Sequence, residues 1–462
     1  MNPLALLVAG CFFMEFLDGT IIAPALPQMA VSLGTNPVDL HVGISAYLLT
    51  VAVMILPGGW AAERFGARAV FTTAIVVFTI ASGLCALADS PTTFVLARVL
   101  QGVGGAMMVP VGRLAVLRTT AKSDLMRAIA LLTWPGLTAP LLGPPLGGFI
   151  AERFDWRFIF LVNLPLGLIA FLLALRLVPS VAGGAPRRFD WRGFLLAGSA
   201  CLCAELAMDL LGRADPPIAT AAALAAIGLF AGIVVTRHLL RAKQPLIDPA
   251  PWRVSTFRAV MTIGTMMRGL IAAMPFLLPL LFQLGFGYDP FHAGALVLAL
   301  FLGNIGIKPA TSWLLRRFGF RTVLVGNAAL QAAAMLGCAL IGPTTQLALL
   351  LALLALAGAS RSMQFTALAT LAFADIPQER MPPANTWFSV AFQLGNGMGV
   401  AVGALLLRVA GALEGTGPGL AAFHGAFVAL GVLMLGLAVA ALRLRPEDGA
   451  AVSGHRLTAA KA

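Results

Sequence analysis

The chain carries the segment Trp60–Arg68 (WAAERFGAR) and repeats its pattern at Trp313–Arg321 (WLLRRFGFR). Trp, Arg, Phe, Gly and Arg occupy the same positions in both segments, and each segment follows a long apolar run. The first segment comes after the second apolar run, and its repeat comes after the tenth. A loop repeated at these two places predicts two six-helix halves that are related by an axis along the membrane normal.

Apolar runs long enough to cross a bilayer recur along the whole chain. Hydrophobic residues make up 59% of it and charged residues 11%, whereas soluble domains carry about 25% charged residues. About 20 apolar residues are enough to cross roughly 30 Å of hydrocarbon. The composition therefore predicts an all-α membrane protein. We place fourteen transmembrane helices at residues 4–30, 43–62, 69–88, 92–115, 128–151, 157–178, 193–211, 217–237, 258–284, 293–315, 319–341, 346–372, 384–411 and 421–443.

The positive charges are distributed unevenly between the two sides of these spans. Of the 31 Lys and Arg residues, twenty-three lie in segments on one side, Arg113 among them, and four lie on the other. Lys and Arg concentrate in cytoplasmic segments, so both termini are predicted to be cytoplasmic. The net charge of +12 fits anchoring to anionic lipid headgroups, and we expect no nucleic-acid partner. The four cations within spans are Arg98, Arg268, Lys308 and Arg361.

The spans divide the chain into two bundles, an inserted pair of helices and a tail. The bundles are expected at 1–178 and 258–446, and the inserted pair at 193–237. Cytoplasmic linkers flank the inserted pair, and the tail is polar and expected to be disordered. These last three segments cover residues 179–192, 238–257 and 447–462.

The segment Gly59–Arg68 resembles the cytoplasmic-loop signature of the major facilitator superfamily. The usual form has Asp where Glu63 stands and a basic residue where Ala67 stands. An acid beside two arginines can pair across a cytoplasmic gate and with a helix end, and Gly66 permits a tight turn. The alternative is a solvated basic loop that only sets topology. The predicted gating residues are Gly59, Glu63, Arg64, Gly66, Arg68, Arg317 and Arg321.

The run Arg98–Ala106 resembles the fourth-helix motif of proton-coupled members of this superfamily. An arginine inside a span needs a partner, water or a cavity, and the glycines of this run allow close helix approach. The alternative is an arginine that snorkels to the outer interface.

Span five resembles the antiporter signature of the drug–proton antiporters. Its small residues at 139, 143 and 147 are four apart and share one helix face, which indicates close packing, while its prolines bend the helix. A smooth, bent helix suits pivoting, and plain helix packing is a compatible alternative. The resemblance implies export rather than uptake. The motif residues are Gly136, Gly143, Pro144, Gly147 and Gly148.

Two further stretches resemble the fourteen-span drug–proton antiporters of the EmrB/QacA type. They are Leu17–Pro27 in the first span and Trp156–Gly167 at the start of the sixth. The resemblance covers nearly the whole chain up to the tail. Within this group the chain looks most similar to the MdtD-like branch, on the stretches Leu96–Leu114, Arg188–Leu195 and Pro290–Gly294 and the surroundings of Arg268, Lys308 and Arg361.

Four carboxylates lie within apolar runs. Glu15 and Asp18 are three residues apart and share a face of the first span, while Glu205 and Asp209 are four apart on the seventh. Buried or paired carboxylates can load and release protons in the useful pH range. Asp18 matches the family motif, so we predict proton coupling through Asp18, with Glu15 and Arg98 beside it. Glu205 and Asp209 either contribute to coupling or sit outside the two halves as interface residues.

The second half contains cations but no deep, unpaired acid. Arg268, Lys308 and Arg361 either pair with carboxylates of the first half or bind an anionic substrate. A charge in the bilayer is expensive without such a partner. We expect these three cations to line the substrate cavity together with Gln101, Met107 and Asn163.

Other kinds of site have no signature in the sequence. The chain has no phosphate-binding Gly-x4-Gly-Lys-Ser/Thr segment, and its five cysteines all fall in apolar runs, so we expect no cofactor and no metal site. The resemblance implies a monomeric, proton-coupled exporter of small molecules in the bacterial inner membrane, of the multidrug-efflux type. The first alternative is an exporter of an anionic metabolite, such as an organic acid or its metal chelate. The second is a membrane-embedded enzyme or sensor.

Overall fold

Long apolar stretches fold as helices because the backbone must satisfy its own hydrogen bonds inside hydrocarbon. The computed structural model describes residues 3–35, 37–121, 124–180, 188–212, 216–414 and 419–455. Throughout these ranges the regular secondary structure is helical. The helices of the first half are α1 (Pro3–Ile21), α2 (Leu26–Ser32), α3 (Pro37–Met54), α4 (Gly58–Phe65), α5 (Ala67–Ala86), α6 (Pro91–Thr119), α7 (Leu125–Arg153), α8 (Phe158–Leu161) and α9 (Asn163–Leu177).

The inserted pair and the second half follow in the same all-helical manner. Their helices are α10 (Trp191–Gly212), α11 (Ile218–Arg241), α12 (Ser255–Ala259), α13 (Thr265–Leu280), α14 (Pro290–Gly306), α15 (Lys308–Cys338), α16 (Leu347–Ala374), α17 (Met381–Glu414), α18 (Leu420–Ala441) and α19 (Ala450–Ser453). Segments of π-helix at Val260–Gly264 and Leu281–Gly285 join α12 to α13 and extend α13.

Ten helical segments within the described residues are long and apolar enough to cross a membrane, and two bent pairs raise this number to twelve. The bent pairs turn by 56° between α3 and α4 and by 51° between α14 and α15. These numbers refer to the described residues and fall below the predicted fourteen. The helix α15 runs on through a turn at Gly319, so it joins the end of one predicted span to the next. Within the described part of α7, Leu125–Pro135 is an apolar helix too short to be one of the ten.

The first predicted span is shorter than its apolar run. The helix α1 ends at Ile21, and a short 3-10 segment at Ala23–Ala25 separates it from α2. Pro24 lies in this segment, and proline cannot donate the backbone hydrogen bond that a continuing helix needs. The prediction of one continuous span over 4–30 is therefore wrong beyond Ile21.

The helix packing of the first half recurs in the second half. In the first half α1 packs on α7 and α9, and α6 packs on α3 and α5, while α5 also packs on α9. In the second half α13 packs on α17 and α18, and α16 packs on α14 and α15, while α15 also packs on α18. The five contacts correspond one to one in chain order, as expected for a structural repeat.

Among the described residues, the buried apolar side chains join the two halves on the side of the repeated loops. On the side of the two repeated loops, one cluster contains Val8 and Leu117 of the first half together with Phe257 and Phe373 of the second. Away from these loops the halves have separate clusters, one around Phe282 and Phe427 and one around Ile22 and Phe160. The apolar cores of the two halves are therefore continuous on the loop side and separate on the other side.

The inserted helices lie against both halves. The helix α10 packs on α11, on α3 of the first half and on α17 of the second. The linkers are also packed: the Phe189 ring lies 4.8 Å from the Trp60 ring, and Trp387 Nε1 donates to the Asp248 carbonyl at 3.1 Å. Residues 181–187 of the predicted first linker lie outside the described residues.

The chain after Arg445 is folded as far as residue 455. The short helix α19 buries Val452 and Ser453, and the Gly449 backbone packs against the Phe320 ring. The expectation of a disordered tail is therefore wrong for this part. The remaining tail, residues 456–462, lies outside the described residues.

Candidate functional site

Asp18 lies at the centre of a buried polar network in the first half. Its Oδ2 accepts a hydrogen bond from Arg98 Nη1 at 2.6 Å, and both side chains are fully buried. Its Oδ1 accepts from Gln101 Nε2 at 2.9 Å and from Asn163 Nδ2 at 2.8 Å. Both amides also donate to Ser82 Oγ. The network thus joins α1, α5, α6 and α9 through one carboxylate.

Arg98 is held by contacts on several sides. Its guanidinium carbon lies 4.3 Å from the centre of the Tyr47 ring, and Nη1 also donates to Gln101 Oε1. Within the described residues, Nε and Nη2 have no hydrogen-bond partner. Close helix approach makes this burial possible, because a Cβ at Gly102 would lie 2.9 Å from the Tyr47 carbonyl. Arg98 therefore does not snorkel to an interface.

Two residues of the predicted substrate cavity contact Asp18 in the structure. Gln101 and Asn163 are 0% and 2% exposed, and their side-chain amides donate hydrogen bonds to Asp18. Met107 is half-buried and packs against the cluster that joins the halves. In this conformation Gln101 and Asn163 face α1, and their assignment to the substrate cavity stays a prediction.

Glu15 lies one turn before Asp18 and contacts different groups. It is 9% exposed, and its Oε2 has no hydrogen-bond partner among the described residues. A Cβ at Gly105 would lie 3.5 Å from its carboxyl carbon. The charges that act on it most are those of Asp18 and Arg113.

Arg113 is a buried residue, although the sequence pattern places it among the cytoplasmic loop charges. It is 8% exposed, and its Nη1 lies 3.2 Å from Ser389 Oγ on α17. Its guanidinium carbon lies 5.1 Å from the Phe388 ring centre and 5.7 Å from that of Phe12. A signal was present in the sequence, since Arg113 lies six residues before the end of its helix, inside the apolar run.

The glycines of the antiporter motif bring α7 into contact with α1 next to Asp18. A Cβ at Gly143 would lie 2.1 Å from Thr20 Oγ1, and one at Gly147 would lie 2.0 Å from the Ile21 carbonyl oxygen. We call this contact the α1–α7 seam. Gly148 faces away from it, with ordinary contact to Pro24 at 3.9 Å. Gly136 and Pro144 lie in α7, and their surroundings lie outside the described part of the structure.

The repeated loops have the same geometry in both halves. Gly66 has φ 85° and Gly319 has φ 74°, which is a region that favours glycine. In the first loop the Trp60 and Phe65 rings meet edge to face at 5.7 Å, and in the second the Trp313 and Phe318 rings do so at 6.3 Å.

The first loop also approaches the second half. A Cβ at Gly59 would lie 2.4 Å from Thr386 Oγ1 on α17, and Arg68 donates to the Leu175 carbonyl within its own half. Arg64 and Arg317 are exposed, whereas Glu63 and Arg321 are half-buried. Gating by these residues remains a prediction.

Arg268 and Arg361 of the second half lie against aromatic rings. The Arg268 guanidinium lies 3.5 Å from the Phe392 ring centre and 4.2 Å from that of Phe365. The Arg361 guanidinium lies 5.5 Å from Phe365. Arg268 Nε and Arg361 Nε and Nη1 have no hydrogen-bond partner among the described residues. Arg268, Arg361 and Arg113 form no ion pair with any described carboxylate.

Lys308 lies at the inner end of a cavity of about 930 Å³. Its Nζ donates to Thr133 at 2.8 Å and to Thr366 at 2.9 Å, so it touches both halves. The cavity is on the loop side, where its wall includes Arg127 and Trp134 of α7. Within the described residues, no three His, Cys, Asp or Glu side chains form a group that could hold a metal ion.

The sequence matches the family described as the Major Facilitator Superfamily over residues 8–399. It is 40% identical over 412 residues to a Klebsiella pneumoniae protein provisionally named multidrug resistance protein MdtD, covering 88% of this chain and 86% of the relative. The same provisional name belongs to relatives in Pectobacterium atrosepticum, 38% identical over 406 residues with 87% and 86% covered, and Escherichia coli O6:H1, 39% identical over 409 residues with 88% and 86% covered.

Two solved structures share the fold at low sequence identity. The human organic anion transporter MFSD10 superimposes with a TM-score of 0.68 at 16% identity, covering 94% of this chain and 99% of the other. The proton:xylose symporter XylE superimposes with a TM-score of 0.60 at 14% identity, covering 97% and 96%. The solved structures share the fold, while the family match over residues 8–399 and the bacterial relatives confirm the predicted family. The chain belongs to the Major Facilitator Superfamily and is a multi-pass membrane transporter, not an enzyme.

Proposed function

We propose that this transporter is a proton-coupled exporter of small molecules in the bacterial inner membrane, of the multidrug-efflux type. It works as a monomer in the lipid bilayer and uses the proton gradient in place of a cofactor. The buried Asp18–Arg98 pair is the observation that carries this proposal. The names of the bacterial relatives support efflux, since those proteins are provisionally called multidrug resistance proteins.

The network around Asp18 gives a physical route from proton binding to helix movement. Ionised Asp18 accepts hydrogen bonds from Arg98, Gln101 and Asn163, and these bonds tie α1 to α6 and α9. A proton on Asp18 removes the charge that holds Arg98 and weakens the tie. The α1–α7 seam begins two residues further on, so α1 is then free to shift along α7. The membrane potential supplies about 2.3 kcal/mol per charge per 100 mV.

The proposed topology is fourteen spans with both termini in the cytoplasm. In this proposal the part of α15 before Gly319 completes the crossing that begins with α14, and the part after Gly319 forms the next crossing. The 29 residues of α7 are long enough for one more. Arg113 does not count among the loop charges because it is buried. The remaining excess of Lys and Arg in the loops still favours the cytoplasm as the location of the loop side. The cavity that reaches Lys308 would then open to the cytoplasm and admit substrate.

The substitution Asp18→Asn tests this proposal. The amide cannot be ionised, so the variant should bind substrate but fail to move it against a gradient. Glu379→Gln is the matched control, because it neutralises an exposed carboxylate that lies outside the Asp18 network. If Asp18→Asn in inverted vesicles still exchanges substrate for protons at the wild-type rate, proton coupling through Asp18 is refuted.

The second candidate function is export of an anionic metabolite, such as an organic acid or its metal chelate. It is favoured by the cations Arg268, Lys308 and Arg361, none of which pairs with a described carboxylate. Buried cations need an opposite charge, water or a ligand. Purified protein in liposomes, offered a cationic dye in one assay and citrate in another, separates the two candidates by which compound is moved.

A further inference from the structure

The inserted helix α10 lies where the two halves of the molecule face each other. It packs against α3 of the first half and α17 of the second. The sequence places this helix outside both halves, which argues against a role for its acids in coupling. The structure removes that argument, because any rocking of the halves must change the surroundings of α10.

Glu205 of α10 directs its carboxylate at the backbone of α17. It is 9% exposed, and its Oε1 has no hydrogen-bond partner among the described residues. Its Oε2 lies 2.9 Å from the position that a Cβ at Gly397 would occupy. The absence of a side chain at Gly397 therefore makes room for the carboxylate.

Asp209 lies one turn further along α10 and reaches the other half. Its Oδ1 accepts a hydrogen bond from Ser45 Oγ of α3 at 3.5 Å. The two acids share a face because they are four residues apart. One contacts the second half and the other contacts the first.

The charged groups near Glu205 do not neutralise it. On its own helix the neighbours are Asp209 and the Cys201 thiol. On α17, Arg408 donates to the Leu211 carbonyl, which is six residues and so about 9 Å further along α10. The described part of α3 offers the Ser45 hydroxyl. No described Lys, Arg or His forms an ion pair with Glu205.

We propose that Glu205 is a second proton-binding site, occupied while α3, α10 and α17 are packed together and emptied when the halves part and admit water. The proposal rests on the proton-coupled function inferred above. A carboxylate without a counter-ion inside a bilayer is stable in its neutral form. Access of water to this face of α17 stabilises the ionised form instead. Proton occupancy at Glu205 is thereby linked to the conformation of the halves.

Labelling with dicyclohexylcarbodiimide tests this assignment in the unmodified protein, because the reagent attacks protonated carboxyl groups in apolar surroundings. Peptide mass spectrometry of the purified transporter should find Glu205 labelled at neutral pH and progressively less labelled as the pH rises. The exposed Glu379 is the internal control, since a carboxylate in water stays ionised and should remain unlabelled. If Glu205 is unlabelled at every pH, the proposal is wrong.

Transport measurements supply the second arm. Glu205→Gln should take up one proton fewer for each substrate exported than the wild type, while Met208→Leu, its neighbour on α10, should match the wild type. Gly397→Ala keeps the carboxylate but displaces it, so the pH of half-labelling should shift. An unchanged proton count in Glu205→Gln, or an unchanged labelling profile in Gly397→Ala, would overturn the proposal. Labelling of Glu205 does not depend on transport, so failure of coupling at Asp18 is a separate result.

Discussion

The α1–α7 seam allows a direct test of whether the antiporter motif is a moving contact. In Gly147→Ala the new Cβ would lie 2.0 Å from the Ile21 carbonyl oxygen, whereas real Cβ contacts stay beyond 3.0 Å. The contacting atom belongs to the backbone, so no side-chain rotation relieves the overlap. The two helices must separate by about 1 Å, at a cost of about 1–3 kcal/mol for overpacking.

This separation falls three residues from Asp18, whose hydrogen bonds of 2.6 to 2.9 Å have little room to stretch. If the seam is packed in one conformation and open in the other, the cost applies to one state alone. A difference of 1–3 kcal/mol then shifts the conformational equilibrium by about 5- to 150-fold. We expect Gly147→Ala to lose most of its export while the protein remains folded.

Gly148→Ala is the matched control, because its Cβ would make only an ordinary contact at 3.9 Å. Export by both variants should be measured in proteoliposomes at equal protein, together with their thermal unfolding. Lower stability of Gly147→Ala with undiminished export would refute a moving seam. In that case the cost would be the same in both conformations, and the glycines would be plain packing residues.

Three further predictions concern substrate charge, topology and the repeated turn. Replacing a cation that contacts an anionic substrate by Gln should weaken export of that substrate by about tenfold or more, because a charged hydrogen bond is lost. The variants Arg268→Gln, Lys308→Gln and Arg361→Gln should leave cationic dye efflux intact. Normal anion export with loss of dye efflux alone contradicts the anion hypothesis. A reporter fused to the C-terminus should be active in the cytoplasm, and activity confined to the periplasm contradicts the topology. Gly319→Ala should destabilise the protein by about 1–3 kcal/mol, because its backbone angles of φ 74° and ψ 167° suit glycine alone. Gly326→Ala in the same helix should not, because a Cβ there would have nothing within 4 Å. Equal melting temperatures of the two variants would show that this turn carries no strain.

Local features of the fold could be predicted from the sequence because they depend on short stretches of chain. The repeated loops predicted equivalent turns, and Gly66 and Gly319 have closely similar backbone angles. The small residues spaced four apart in span five predicted close packing, and Gly143 and Gly147 contact α1 as that spacing implies. The position of Asp18 within a span was likewise evident from its neighbours.

Contacts between distant parts of the chain could not be predicted in the same way. The partners of Asp18 lie 80, 83 and 145 residues away, and a helix that is apolar on all sides does not reveal which face carries a polar partner. This is why the hydrogen bonds from Gln101 and Asn163 to Asp18 could not be predicted. Arg113 resembled a loop charge because Phe388, which covers it, comes from the other half of the chain.

The correspondence between the halves extends to their helix contacts, their glycine turns and the arginines of the repeated loops, but not to the charges buried within their helices. The first half holds the partnered acid Asp18, and the second holds Arg268 and Arg361 without described acidic partners. An ancestral duplication would thus have kept the same helix arrangement in both halves, with proton binding in the first half and substrate recognition in the second. Selection by a new toxic compound can then act around Arg268 and Arg361 and leave the ion-handling half untouched. Hybrid chains that join this first half to the second half of a relative should keep their energy source and acquire the relative's range of substrates.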